Sequence, residues 1–157
     1  MTVNARSGGN VLLLIWGDLA IIPGMDMEKE IQLLQFMICR EFITGQNDCY
    51  TAEAVHSNLY VPSFPFHFQQ TYAVTCWRKD KKFHKEVIEY STGNGPNDTV
   101  RSPHMDIEPV TSSVLFRWHK HLFPTDFTLE KPTLLTVRVI LDWKVRFESY
   151  LMIEQAP

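Results

Sequence analysis

The run Leu134-Leu135-Thr136-Val137-Arg138-Val139-Ile140-Leu141, the pair Asp142-Trp143, and the run Lys144-Val145-Arg146-Phe147-Glu148-Ser149-Tyr150-Leu151-Met152-Ile153 decide how this chain folds. After the pair, Trp143, Val145, Phe147, Ser149, Leu151 and Ile153 alternate with Lys144, Arg146, Glu148, Tyr150 and Met152. Successive side chains of a strand point to opposite faces, so one face here is oily and the other mostly wet. Before the pair, Leu135, Val137, Val139 and Leu141 form a continuous apolar side, and Thr136 and Arg138 interrupt the other. Two such runs joined by a tight connection predict a β-hairpin. A hairpin alone is marginal in water, so further strands must cover its oily face.

The rest of the chain offers those strands. Phe66–Trp77 predicts a long one, with Phe66, Phe68, Tyr72, Val74 and Cys76 on one face and His67, Gln69, Thr71, Ala73 and Thr75 on the other. The cluster Arg78-Lys79-Asp80-Lys81-Lys82 reads as a solvated turn, and Phe83–Tyr90 returns from it to make a second hairpin. Val114–Leu122 alternates again, with Val114, Phe116, Trp118 and Leu122 facing one way. The unbroken apolar run Val11–Trp16 suits a strand buried on both faces, with Gly17-Asp18 as a bulge and Leu19–Ile22 continuing to Pro23-Gly24. Asp26–Thr44 predicts the one helix: Met27, Ile31, Leu34, Ile38 and Phe42 fall on one stripe, Asp26 caps it and Gly45 ends it. Leu59-Tyr60-Val61, broken by Pro62 and Pro65, reads as an edge or corner. Ser91–Pro109, rich in Gly, Asn, Pro, Asp and Ser, predicts a long loop.

These elements predict a mainly β protein, an antiparallel β-sandwich of about six to eight strands with one α-helix in the N-terminal third. A flexible tail over 1–10 and a single domain over 11–157 are the expected organisation. A chain of 157 residues buries roughly 70% of its unfolded surface, enough for a core without disulfide or metal staples. Apolar residues at 45% and charged residues at 21% place it among folded globular chains. The net charge of −3 offers no basic footprint, so nucleic acid is not an expected partner. Cys39, Cys49 and Cys76 form no Cys-x-x-Cys pair; free thiols fit a reducing cytoplasm. No run of about 20 apolar residues is present, so no spanning helix is expected.

The order Leu12–Asp18, then Phe64-Pro65 leading into Phe66–Trp77, then Lys131-Pro132 leading into Thr136–Leu141, Asp142 and Tyr150–Ile153 resembles a group of small bacterial β-sandwich proteins of unknown function. That resemblance covers about two thirds of the chain. It implies the sandwich and carries over no catalytic residue. Pro132-Thr133 and Asp142-Trp143 stand where the group's pattern has glycine, and the helix expected over Asp26–Thr44 is longer than the pattern needs.

Chemistry is sparse. His119 and His121 are two apart, so on a strand both imidazoles share a face and can converge on one divalent transition metal. Asp126 is a candidate carboxylate ligand and His104 a distant one. The plain alternative is a polar outer face, since Arg117, His119 and His121 oppose Phe116 and Trp118. His67 and His84 are placed across the expected second hairpin from each other, and His104-Met105-Asp106 lies in the long loop. There is no Gly-x-Ser-x-Gly elbow and no phosphate loop. Trp16, Trp77, Trp118 and Trp143 either pack a core or line an apolar ligand cavity. The leading expectation is a non-enzymatic module without a cofactor that binds a protein partner or itself. A metal-binding protein or metal-dependent enzyme, and an apolar small-molecule carrier, are the alternatives.

Overall fold

The computed structural model describes residues 29–95, 97–111 and 114–157. Among these, the first strands are β1 (Gln32–Thr44), β2 (Tyr50–Val55), β3 (Asn58–Val61) and β4 (Phe66–His67). They are followed by β5 (Tyr72–Arg78), β6 (His84–Ser91), β7 (Thr99–Arg101) and β8 (Met105–Ile107). The last four are β9 (Phe116–Leu122), β10 (Thr128–Leu129), β11 (Thr133–Leu141) and β12 (Lys144–Gln155).

The C-terminal alternation becomes the β11–β12 hairpin, paired from Thr133↔Ile153 to Leu141↔Lys144. At its bend Asp142 and Trp143 both have positive φ, 49° and 67°. Left-handed backbone at both central positions twists with the strands it joins, which is why a two-residue connection suffices without glycine. Leu135, Val137, Val139 and Leu141 are fully buried, as the alternation requires.

One sheet has the order β2-β1-β5-β9, and the other β3-β12-β11-β6-β7 with β8 also on β6; β10 and β4 form a short ribbon. Neighbours are antiparallel except β3, which runs parallel to the end of β12. A single core cluster joins the two large sheets: Ile38, Ala73 and Trp77 come from the first, Ile88, Tyr90, Val137, Val139 and Leu151 from the second. A smaller cluster of Cys39, Phe42 and Val74 with Tyr50, Tyr72 and Trp118 covers the other face of the first sheet.

The expected helix is a strand. β1 pairs with β5 over Gln32–Cys39 and with β2 over Cys39–Thr44. A bulge between Leu33 and Gln35 shifts its phase, and apolar groups cover both faces: Ile38 enters the core while Cys39 and Phe42 join the second cluster. Bulge and two-sided burial together erase the period of two and leave apolar residues four apart. No helix occurs among the described residues, so none there is long and apolar enough to cross a membrane.

Three other expectations change. Phe66–Trp77 is broken into β4 and β5, and β5 and β6 lie in different sheets, so they make no hairpin. The loop expected over Ser91–Pro109 contains β7 and β8, both antiparallel to β6. The cluster at Arg78–Lys82 is a crossing between sheets in which Lys79 and Asp80 are buried, with only Lys81 and Lys82 exposed. The strand expected at Val11–Trp16, Asp18, the tail over 1–10 and the helix start at Asp26 and Met27 lie outside the described residues.

Asp80 makes that crossing rigid. Its carboxylate accepts the amides of Ile31 (3.0 Å) and Lys82 (2.8 Å) and His84 Nε2 (2.8 Å). The other ring nitrogen, His84 Nδ1, meets Asp142 Oδ2 at 2.6 Å, while Asp142 Oδ1 accepts the Lys85 amide. With a carboxylate against each ring nitrogen, the imidazole bridges Asp80 to Asp142 and bolts the crossing to the hairpin turn. Burial alone raises the pKa of both aspartates, but these donated hydrogen bonds outweigh it and hold both below 3.8. Depressed carboxyls stabilise above their unfolded pKa, and the contribution is lost as pH falls through the folded value. His84→Ala is expected to cost roughly 2–3 kcal/mol in urea unfolding at neutral pH. Its loss of stability below about pH 4 should be shallower than that of the unmodified protein.

Candidate metal centre

Alternation on three strands builds the site. On β6, His84, Glu86, Ile88 and Tyr90 share parity, and Ile88 and Tyr90 belong to the core, so Glu86 points inward with them. Across the shared core, β5 contributes Thr75 and Trp77, whose parity matches the core residue Ala73. β9 lies beside β5 with His119 opposite Thr75 and His121 opposite Ala73, so both imidazoles also face inward.

All these groups converge on one carboxylate. Thr75 Oγ1 lies 2.8 Å from Glu86 Oε1 and 3.0 Å from Oε2, and the Trp77 indole N–H donates to Oε2. His119 Nδ1 is 3.1 Å and His121 Nε2 is 2.5 Å from Oε1. The Glu86 side chain has no exposed surface, and those of His119 and His121 are 9% and 1% exposed. The two rings stand nearly perpendicular, with centroids 5.8 Å apart.

An isolated carboxylate in such a place would cost several kcal/mol and would take up a proton. Burial does push the Glu86 pKa upward. The hydrogen bonds and charges of His119 and His121 more than reverse that push, bringing it down to about 2. Tyr90, further along the same strand, shows the opposite outcome: burial, with the charge of Glu86, raises its pKa, and its hydroxyl has no hydrogen-bond partner among the described residues.

The same atoms form a ligand set. His119, His121 and Glu86 each offer one donor atom, all within 4.8 Å of one another. Two imidazoles and a carboxylate bind zinc or iron(II) in known site types. Bonds of about 2.0–2.1 Å in a tetrahedral shell put ligand atoms roughly 3.3 Å apart. The 3.1 Å between His119 Nδ1 and Glu86 Oε1 fits that spacing, and His121 would need to withdraw by under about 1 Å. Residues present therefore fit an ion that replaces the two imidazole protons.

Of the four candidate ligands read from the sequence, His119 and His121 enter this cluster and His104 and Asp126 do not. His104 sits 3.9 Å from Asp106, both about half exposed, and shares with Asp126 and His121 the wall of a surface cavity. The polar-outer-face alternative is reversed: Phe116 and Leu122 are half exposed, Trp118 stacks on Phe42 and Tyr50 outside the main core, and the histidines point in. His67 meets Thr128 while His84 meets Asp80 and Asp142, so they form no pair. The described tryptophans line no common cavity. Trp77 is in the core, Trp118 is in the outer stack and Trp143 is 75% exposed.

Glu86 itself was absent from the sequence candidates. The available signal was its parity: a carboxylate on the same face as Ile88 and Tyr90 is aimed into oil. No protein-family model matches the chain, and no curated protein is significantly similar to it.

Glu86 carries a depressed pKa, so its stabilisation is full above about 4.5 and lost as pH falls through about 2. In metal-free protein, Glu86→Gln is expected to lose roughly 3 kcal/mol at neutral pH. Its urea midpoint should also fall less between pH 4.5 and 2 than that of the unmodified protein, the remaining dependence coming from Asp80 and Asp142.

Proposed function

We propose that this chain is a metal-binding β-sandwich protein that holds one divalent transition ion between its sheets. His119 Nδ1, His121 Nε2 and Glu86 Oε1 are the ligands. What supports this most is the convergence of three ligand atoms from two facing sheets within 4.8 Å. The ion is of the zinc or iron(II) class, which two imidazoles and a carboxylate suit. Three protein ligands leave the fourth position of a tetrahedral shell open, and burial of all three groups restricts a substrate's access to it. Metal analysis of protein purified without a His tag and exposed to zinc or iron(II) tests the reading. About one equivalent is expected, falling below about a tenth in the His119→Ala/His121→Ala double variant; less than a tenth in the unmodified protein overturns it. At free metal about 100 times the dissociation constant, binding adds about 2.7 kcal/mol, so chelation should lower Tm by roughly 5–10 °C.

A second reading, a non-enzymatic module that binds a protein partner or itself, is favoured by β9. Among the described residues its far edge is unpaired, and Phe116 and Leu122 are half exposed on its outer face. Unpaired edges with apolar side chains template association. Light scattering across a hundredfold concentration range is expected to show a mass above one chain; a constant single-chain mass, with no partner retained, removes this reading.

A further inference from the structure

An ion held at the Glu86 cluster needs a way in, because the cluster is enclosed. The Glu86 side chain has no exposed surface and that of His121 is 1% exposed. Two cavities nevertheless have a ligand of the cluster in their walls. One, of about 560 Å³, is bounded by the segment leading from β7 into β8 and by the end of β9, with Ser102 and His121 in its wall. The other, of about 440 Å³, lies beside the aromatic stack of Phe42, Tyr50 and Trp118 and includes His119.

His121 stands between the first cavity and the cluster. Its Nε2 is 2.5 Å from Glu86 Oε1, and its Nδ1 is 3.4 Å from Ser102 Oγ in the cavity wall. One ring nitrogen thus faces the centre and the other faces the cavity side. The Ser102 hydroxyl accepts the Ile88 amide at 2.9 Å and donates to the Pro103 carbonyl at 3.0 Å. With its own proton directed there, it accepts from His121, which places a proton on Nδ1 and leaves Nε2 to bind an ion.

The same cavity carries further side chains able to hold a cation. His104 and Asp126 line it, and both are exposed. An imidazole and a carboxylate are the donor types of the cluster itself. The cations in that wall are neutralised, Arg101 by Glu89 at 2.8 Å and Lys120 by Glu41 at 2.5 Å, leaving the Asp126 carboxylate to attract an ion. Besides His119, the described lining of the other cavity offers one carboxylate, Asp48, and no imidazole.

We infer that a divalent transition ion reaches the cluster through the cavity beside His121, held in passing by His104 and Asp126. This rests on the metal reading and adds to it a route and two transient ligands. Side chains that touch the ion only on its way lower the barrier equally in both directions. Removing them therefore slows uptake and release by one factor and leaves the dissociation constant where it was.

Cobalt(II) binding to the full chain without a His tag tests this, since visible absorption follows occupancy of the cluster. In the His104→Ala/Asp126→Ala variant, uptake after rapid mixing and release into excess chelator are both expected to slow about tenfold. The dissociation constant is expected to stay that of the unmodified protein, which also shows that the variant folds. Asp48→Asn is expected to change neither rate. Unaltered rates in the double variant overturn the inference. So does slowed exchange in Asp48→Asn, which assigns the route to the other cavity. Weaker binding with faster release in the double variant overturns it as well, because His104 and Asp126 then hold the resident ion. Those three results leave the metal reading standing, whereas an unmodified protein that takes up no cobalt overturns that reading and the route with it.

Discussion

Glu86 places a negative charge in a dry interior, and the groups that satisfy it determine how the two sheets can face each other. Its donors Thr75, Trp77, His119 and His121 all come from the opposite sheet. Without them the carboxylate would be protonated or the sheets would admit water. Satisfying it requires β9 to lie against β5 with its histidines inward. Because side chains alternate, Phe116, Trp118 and Leu122 must then face outward. Trp118 finds cover there by stacking on Phe42 and Tyr50, with centroids 5.2 and 4.9 Å away. One buried, hydrogen-bonded carboxylate cluster thereby explains both an inverted binary pattern and an aromatic stack outside the core.

β6 carries a second fixed charge arrangement two residues earlier, where His84 is held between Asp80 and Asp142. The two differ in reach. His84 ties the crossing between sheets to the hairpin turn near the surface, whereas Glu86 ties sheet to sheet in the centre. Both depend on ionised carboxylates, so the fold should be most robust near neutral pH and weaken in acid. An ion at Glu86 would substitute for the two imidazole protons and keep the same cross-sheet connection. Metal binding and plain hydrogen bonding would therefore draw on one set of atoms.

How much of this the sequence disclosed follows from which residues obey a single periodicity. Leu135, Val137, Val139 and Leu141 have oil on one side only, so the C-terminal hairpin was legible down to its bend. β1 was not, because a bulge at Leu33–Gln35 and apolar cover on both faces produce the spacing of a helix. The β5–β6 connection is short and polar, which also describes a hairpin turn; nothing local distinguishes a strand that crosses to the other sheet. At the site, the two-residue spacing of His119 and His121 correctly put them on one face. Which face could not be read from β9 alone, since it depends on Glu86, 33 residues earlier than His119.

The facing of the two large sheets rests on Glu86 being an ionised carboxylate bound by both imidazoles between them. The most direct test is a pH titration of the Glu86 carboxyl carbon by NMR in the metal-free folded protein. A midpoint near pH 2 is predicted. A midpoint at or above the ordinary value of 4.5 would contradict the account, because the carboxyl would then lack the donors on which the facing of the two sheets depends.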